Sequence, residues 1–352
     1  MAKNNIDRLK QPEKNILVVR LSAMGDVAMT VPVLRVFRET YPDVKLTVLT
    51  RKFFAPMFSG INNLHVYHAD VDGRHKGVFG LRRLSNELHK SGINAVADLH
   101  NVLRSNILKT LLSLNGIKTV QIDKGRTEKK ALTRSQNKIF AQLKSTHQRY
   151  ADVFEALGYP IDLKTHTHPK KQSLTPNILS LTQDSTKKWL GIAPFAQYES
   201  KTYPLELMVE VIEQLDRGDR FEIFLFGGGK RETDILNNIS CKYNNVTNVS
   251  GRLQFEDELK LIGNLDAMLS MDSGNAHLAA MYGVPTITLW GVTHPYAGFM
   301  PFGQPVENAI LPNLVQYDQI PTSIYGNKFP AGYEKVMHSI KPETVVEAIN
   351  NL

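Results

Sequence analysis

Short uninterrupted apolar, β-rich runs alternate with segments of helical period, and the alternation occurs twice along the chain. The first series holds NILVVRL, a helix-period stretch through VPVLRVFRETY, KLTVLT, FFAPMF, NAVADLH, RSNILKTLLSL and KTVQI. The second holds WLGIAPF, PLELMVEVIEQLDR, FEIFLFGG, VTNVSG, FEDELKLIGNLD, AMLSMD, HLAAMYG and PTITLWG. A strand that is apolar throughout must be covered on both faces, as parallel strands with crossover helices are. The pattern therefore predicts an α/β protein of two similar units, each built on a parallel sheet. Length agrees, since 352 residues exceed the roughly 100–200 of one ordinary domain. Between the two series, Ile161 to Lys188 has scattered Pro, Thr, Ser and Lys with little periodicity, and the boundary is expected there. Open α/β sheets bind ligands beyond the carboxyl ends of their strands, which places the expected site in a cleft between the halves.

Composition narrows the class. A single cysteine, Cys241, excludes an intrachain disulfide and any cysteine-rich metal site, and suits a reducing compartment. The start, MAKNNIDRLKQPEKN, has no apolar core of a signal peptide. Arg20, Asp26 and Asp272 interrupt the best apolar stretches before they reach the ~20 residues a membrane span needs. The expectation is a cytoplasmic protein, soluble or peripheral on a membrane. Net charge is +8, and the stretch Asp72–Arg149 alone holds 16 Lys and Arg against 5 Asp and Glu. Such a field suits nucleic acid, an acidic leaflet or a phosphorylated glycolipid, or is simply a solvated basic face. No aromatic-interleaved basic motif or zinc-finger spacing accompanies it, which disfavours nucleic acid.

Three stretches can carry chemistry. In SMDSGNAHLAAMYGVPTITLWGVTHP an apolar strand ends at Asp272, Ser273, Gly274 and Asn275 turn the chain, and a short helix follows. Backbone N–H groups around Gly274 and Asn275 would favour a phosphate there. Asp272 can orient a sugar hydroxyl, and His277 can hydrogen-bond or neutralise a phosphate oxygen. The plainer alternative makes Asp272 or Ser273 a helix cap worth ~1 kcal/mol and His277 a buried helical histidine. In APFAQYESKTYPLELMVEVI a strand opens into a polar loop holding Lys201, a point charge well sited for a diphosphate leaving group, or else an exposed loop lysine. In FLFGGGKRETD, Gly227 and Gly228 follow a strand and Glu232 is a candidate for ribose hydroxyls, although neither GxGxxG nor GK[ST] is present. If the second half holds a nucleotide diphosphate, the first must supply the acceptor. Asp26, at the strand-to-helix junction of RLSAMGDVAMTVPVL, is then a candidate general base, contributing typically ~10²–10⁴-fold. Gly25 beside it permits close approach. Helix capping is again the alternative for Asp26.

Taken together these residues resemble the ADP-heptose:lipopolysaccharide heptosyltransferases, glycosyltransferase family 9, over essentially the whole chain. The resemblance rests on LVVRLSAMGDVAMTVPVL, on the ESKTYP lysine loop, and on DSGNAHLAAMYGVPTITLWGVTHP. The last is similar to the family's D-[ST]-G-x-x-H-L-x-A-A-x-G-x-P stretch. GNAH departs from the commoner GPMH or GLSH, and FAQYE from the threonine-rich run of some members. The resemblance implies a GT-B fold of two Rossmann-like domains with a cleft between them. Residues 1–170 would bind the acceptor, 171–335 the nucleotide sugar, and 336–352, with the last helix KPETVVEAINNL, would cross back to the first domain. It implies an inverting glycosyltransferase that needs no metal or other cofactor, moving a heptose from ADP-heptose to the lipopolysaccharide inner core, a Kdo-lipid A type acceptor. Asp26 matches the base, Lys201 the lysine on the donor diphosphate, and Asp272, Ser273, Gly274 and His277 the donor loop, with Asn275, Gly227, Gly228 and Glu232 as further donor candidates. Ser22, Gly25 and Arg104 are the acceptor-side candidates. The implied partners are the donor, the phosphorylated glycolipid and the anionic inner leaflet, with no nucleic acid.

Two other readings share the pattern. A GT-B transferase or epimerase for another nucleotide sugar would need a different set of carboxylates and histidines. A nucleotide-sugar-binding protein without turnover would bind donor independently of Asp26. A nicotinamide oxidoreductase is disfavoured because GxGxxG is missing.

Overall fold

The computed structural model describes residues 14–183 and 186–352. The amino-terminal stretch read as lacking a signal, up to residue 13, lies outside the described residues, as do Asp184 and Ser185 of the expected boundary. The strands are β1 (Asn15–Val19), β2 (Lys45–Thr50), β3 (Leu64–His68), β4 (Ala95–Asp98), β5 (Lys118–Gln121), β6 (Lys188–Ala193), β7 (Phe221–Leu225), β8 (Val246–Asn248), β9 (Ala267–Met271), β10 (Thr286–Leu289) and β11 (Ala309–Ile310). The helices are α1 (Met24–Ala28), α2 (Thr30–Thr40), α3 (Gly77–Lys90), α4 (Leu103–Ser113), α5 (Arg126–Thr133), α6 (Thr146–Leu157), α7 (Pro176–Leu179), α8 (Leu205–Arg217), α9 (Gly229–Ser240), α10 (Phe255–Asn264), α11 (Gly274–Ala280) and α12 (Pro342–Asn350).

They form two compact α/β units whose chain segments are not contiguous. Of the described residues, the first takes 14–22, Val33–Ile122 and Tyr150–Thr165, and the second takes Ala23–Pro32, Asp123–Arg149, 166–183 and 186–352. The two short excursions matter, because Gly25 and Asp26 count with the second unit.

The first unit is a five-stranded parallel sheet in the order β3-β2-β1-β4-β5. Ile16, Leu17 and Val18 of β1 are fully buried, as an apolar central strand must be. Helix α3 buries Leu81, Leu84 and Leu88 at helical spacing and leaves its opposite side to solvent. The chain leaves β1 toward β2 on one side, while β4 lies on the other, so the order reverses between β1 and β4. Ser22 follows β1 and Arg104 follows β4, both at that reversal.

The second unit is a six-stranded parallel sheet in the order β11-β10-β9-β6-β7-β8. Its order reverses between β6 and β9, which pair directly from Leu190↔Ala267 to Ala193↔Ser270. Leu190, Ile192, Ile223, Leu269 and Ile287 lie in one continuous apolar core with Met208, Ile212 and Leu215 of α8. The last helix corrects an expectation: α12 packs on α8 of this same unit, with Val345 and Ile349 fully buried in that core, where the sequence reading sent it to the first domain. An amphipathic helix goes where its apolar stripe finds a matching one, and α8 offers it.

Candidate functional site

Asp272 follows β9 directly, and Lys201 closes a short 3₁₀ turn, Glu199–Lys201, in the loop after β6. Both therefore stand at the carboxyl ends of the two strands that flank the reversal of the second sheet, where such sheets form a crevice. They meet there. Lys201 Nζ lies 2.9 Å from Asp272 Oδ2, and both side chains are nearly buried, at 14% and 10% exposure. Thr293 Oγ1 donates to the same carboxylate oxygen at 2.9 Å. The pair aims an ammonium that has three N–H donors and spends one on Asp272.

The loop that carries Lys201 is anchored on both sides. Tyr203, 1% exposed, donates from its hydroxyl to Ile340 O at 2.8 Å, and burial raises its pKa well above the ordinary phenol range. Ser200 Oγ donates to Gly326 O. Gly326 has φ +82° and lies against the Lys201 stem, since a Cβ there would come within 2.5 Å of Lys201 Cδ. A side chain at 326 would thus displace the lysine and strain the backbone.

Ser273 occupies the N-cap position of α11, yet its hydroxyl makes no cap bond and pairs with Ser270 Oγ at 3.1 Å. The simple capping alternative for Ser273 is therefore not what the geometry shows. His277, in the same helix, is 7% exposed, and its buried Nδ1 has no hydrogen-bond partner. Burial pushes its pKa down to about 4; Asp272 and Asp26 oppose the shift and Lys201 adds to it. In the free protein at neutral pH the ring is uncharged, so it offers a phosphate a hydrogen bond. A phosphate bound beside the ring would itself favour the charged form.

Helix α1 packs on α11 through two glycines. A Cβ on Gly25 would lie 2.9 Å from His277 Cδ2 and 3.2 Å from Gly274 Cα. This contact delivers Asp26 to the same place. Its Oδ2 accepts the Ala23 N–H at 3.3 Å, a long bond that caps the first turn of α1. Capping and facing the site are both true of Asp26.

Asp26, Lys201, Asp272, Ser273, Gly274 and His277 together line one hollow of about 240 Å³, with Gly25. Its remaining wall includes Gln197, Tyr198, Phe299, Ile324 and Tyr325, none of which the sequence singled out. Tyr198 was adjacent to a motif and could have been noticed; Phe299 and Tyr325 lie in loops with no signal of their own. Behind Phe299, the Lys129 ammonium sits 4.1 Å from the ring centroid. Burial pushes the Lys129 amine down to about 8, with Arg149 and Lys124 adding to the effect and Asp26 and Glu128 opposing it.

The other candidates are elsewhere. Asn275 is half-buried one residue past Gly274 and does not line the hollow. Gly227 and Gly228 follow β7, one strand beyond β6, and Glu232 Oε2 accepts the Gly228 N–H at 2.7 Å, closing the first turn of its own helix. Ser22 and Arg104 belong to the first unit. There Asp98, fully buried, accepts from His100 N, Asn101 N and Ser105 Oγ, which fixes the start of α4 and hence the place of Arg104. A larger hollow of about 420 Å³, lined by Asn15, Lys45, Asn63, His65 and Tyr67, opens at the amino ends of β1, β2 and β3, the edge such sheets do not use for ligands. Among the described residues no group of three or more His, Cys, Asp or Glu is placed to hold a metal ion.

The comparisons with known proteins bear on the family and the fold. Residues 81–322 match the family model described as glycosyltransferase family 9 (heptosyltransferase). The lipopolysaccharide core heptosyltransferase OpsX of Haemophilus influenzae is 26% identical over 295 residues, covering 80% of each chain. Among solved structures, the glycosyl transferase family 9 protein of Veillonella parvula superposes with a TM-score of 0.74 at 18% identity, covering 97% of this chain and 98% of that one. The E. coli heptosyltransferase WaaC with ADP gives 0.66 at 19% identity, covering 96% and 99%. Two Rossmann-like units, a site at the reversal of the second sheet and a family model spanning most of the chain have one meaning: this protein belongs to glycosyltransferase family 9, the heptosyltransferase family, and has its GT-B fold.

Proposed function

We propose that the protein transfers a heptose from ADP-heptose to the inner core of a Kdo-lipid A type acceptor at the cytoplasmic face of the inner membrane, with inversion and without a metal ion. The observation that carries the reading is the single hollow that brings the Asp26 carboxylate together with the Lys201–Asp272 pair and an uncharged His277. A displacement at an anomeric carbon needs a base for the incoming hydroxyl and positive charge for the leaving diphosphate. Asp26 supplies the first. Lys201 supplies the second with the donors it does not spend on Asp272, and His277 adds a hydrogen bond. The name of the Haemophilus relative supports the acceptor class, and the bound ADP of the E. coli structure supports the base of the donor.

The test is release of nucleoside diphosphate from ADP-heptose and from a panel of other nucleotide sugars, with and without Kdo-lipid A, in EDTA. Release that needs ADP-heptose and acceptor and survives EDTA is expected. Preference for another nucleotide sugar would move the protein to a different transfer within the family, and donor binding without release under any pairing would favour the non-catalytic alternative.

A further inference from the structure

Helix α3 was not singled out in the sequence, and its outer side joins exposed apolar side chains to a row of cations. Phe79 is 89% exposed and Val78 is 61% exposed in its first turn. Phe79, Arg82, Arg83, Asn86 and Lys90 follow one another at helical spacing, all exposed, while Leu81, Leu84 and Leu88 face the core. Arg74 and Lys76, just before the helix, are exposed as well. Glu87 is the acid of this helix, and it is already engaged, by Arg74, by His75 Nε2 at 3.1 Å and by Tyr67 Oη at 2.5 Å. Asp72, the nearest exposed acid before the helix, lies 3.5 Å from Arg51. Arg74, Phe79, Arg82, Arg83 and Lys90 border a shallow depression of about 500 Å³.

A bare phenylalanine ringed by cations is costly in water and has one obvious complement. Aromatic and aliphatic side chains settle at the headgroup boundary, and each Lys or Arg near an anionic leaflet adds about 1 kcal/mol. The topology adds a second apolar element. Helices α3 and α4 both begin at the carboxyl edge of the first sheet, they pack on one another, and α4 opens with Leu103 at 78% exposure. That edge also carries Ser22 and Arg104.

We infer that the outer face of α3 is a membrane-docking surface, with Val78 and Phe79 entering the interface of an anionic phospholipid bilayer and Arg82, Arg83 and Lys90 bound to its headgroups. The inference rests on the proposed function only for the biological meaning of the leaflet; the surface itself is argued from charge and exposure. Docking there would hold the carboxyl edge of the first sheet toward the lipid that carries the acceptor.

The experiment is co-sedimentation of the full chain with vesicles of phosphatidylcholine alone or with about 30 mol% phosphatidylglycerol, at low and high salt. The wild type is expected to partition onto the anionic vesicles, less so as salt rises. Arg82→Ser with Arg83→Ser is expected to weaken partition at least about tenfold, and Phe79→Ser about fivefold or more. These side chains are exposed, so circular dichroism should be unchanged. Transfer to a deacylated, water-soluble acceptor is expected to be unaffected, while transfer to vesicle-borne acceptor falls. Partition of the double variant like wild type, equal binding to neutral vesicles, or no partition at all would overturn the inference. Absence of transfer to either acceptor alongside intact partition would instead overturn the proposed function and leave the docking surface standing.

Discussion

At the scale of single residues, one carboxylate both caps a helix and borders the hollow. Asp26 spends a long hydrogen bond on Ala23 and still borders the hollow. Asp26→Asn keeps an acceptor for that N–H, so stability and ADP affinity should hold within about twofold while kcat falls by ~10²–10⁴; isothermal titration with ADP beside turnover measures both. Lys201 calls for a different design. Lys201→Ala removes one member of a nearly buried pair and leaves Asp272 the Thr293 hydroxyl but no cation among the described residues, so it should cost about 3 kcal/mol of stability as well as donor affinity. Adding Asp272→Asn should restore part of that stability and none of the affinity. A double variant that binds ADP as tightly as wild type would show that the lysine is structural. Asp26, Lys201, Asp272 and His277 were legible because they lie in long local motifs. Phe299 and Tyr325, and Lys129 against the Phe299 ring, were not, because each lies far in sequence from its neighbours in the fold.

At the scale of elements, the contact between α1 and α11 makes the site. Two short helices this close need small residues where they touch, and the two glycines are not equivalent. A Cβ at Gly25 meets the His277 ring and the Gly274 backbone, neither of which yields easily, whereas a Cβ at Gly274 first meets the flexible Cε of Met24. Gly25→Ala should therefore cost about 1–3 kcal/mol and most of the activity, and Gly274→Ala clearly less. Paired denaturant titrations check the order, and equal costs would mean that α1 moves as a body. Elements with strong periodicity, such as β2 and α8, lie where the sequence put them. Strand β3 and helix α3 escaped notice. LHVYH is an edge strand only partly buried and mixes histidines into its pattern, and α3 adds the exposed apolar Val78 and Phe79 to its buried stripe of Leu81, Leu84 and Leu88.

At the scale of the whole molecule, the second unit holds several buried histidines whose charging folding resists. Burial lowers His147 to about 3, and His277 and His294 to about 4, from an ordinary 6.5. His294 also accepts the Tyr296 N–H at Nδ1, at 3.1 Å, which requires that nitrogen unprotonated. The unfolded chain therefore binds more protons than the folded one between about pH 6.5 and 3. Their contribution is complete above that window and is lost as pH falls through it. The melting temperature should drop between pH 7 and pH 4.5, with His147→Gln flattening the dependence. An identical slope in that variant would mean that folding does not lower the His147 pKa.

The sequence by itself determined the α/β class, the two parallel sheets, the family and the strand ends that border the hollow. Each of those is written in short-range patterns: a run apolar on both faces, a helical period, a turn after a strand. Tertiary structure alone decided that Gly25 and Asp26 pack with the second unit, that Lys201 is held by Asp272, that Glu232 is taken up by its own helix, and that α12 packs on α8. Those outcomes depend on which buried surfaces and charges find each other across long separations in the chain. Local periodicity carries no term for that choice; packing density and the cost of leaving a charge unpaired do.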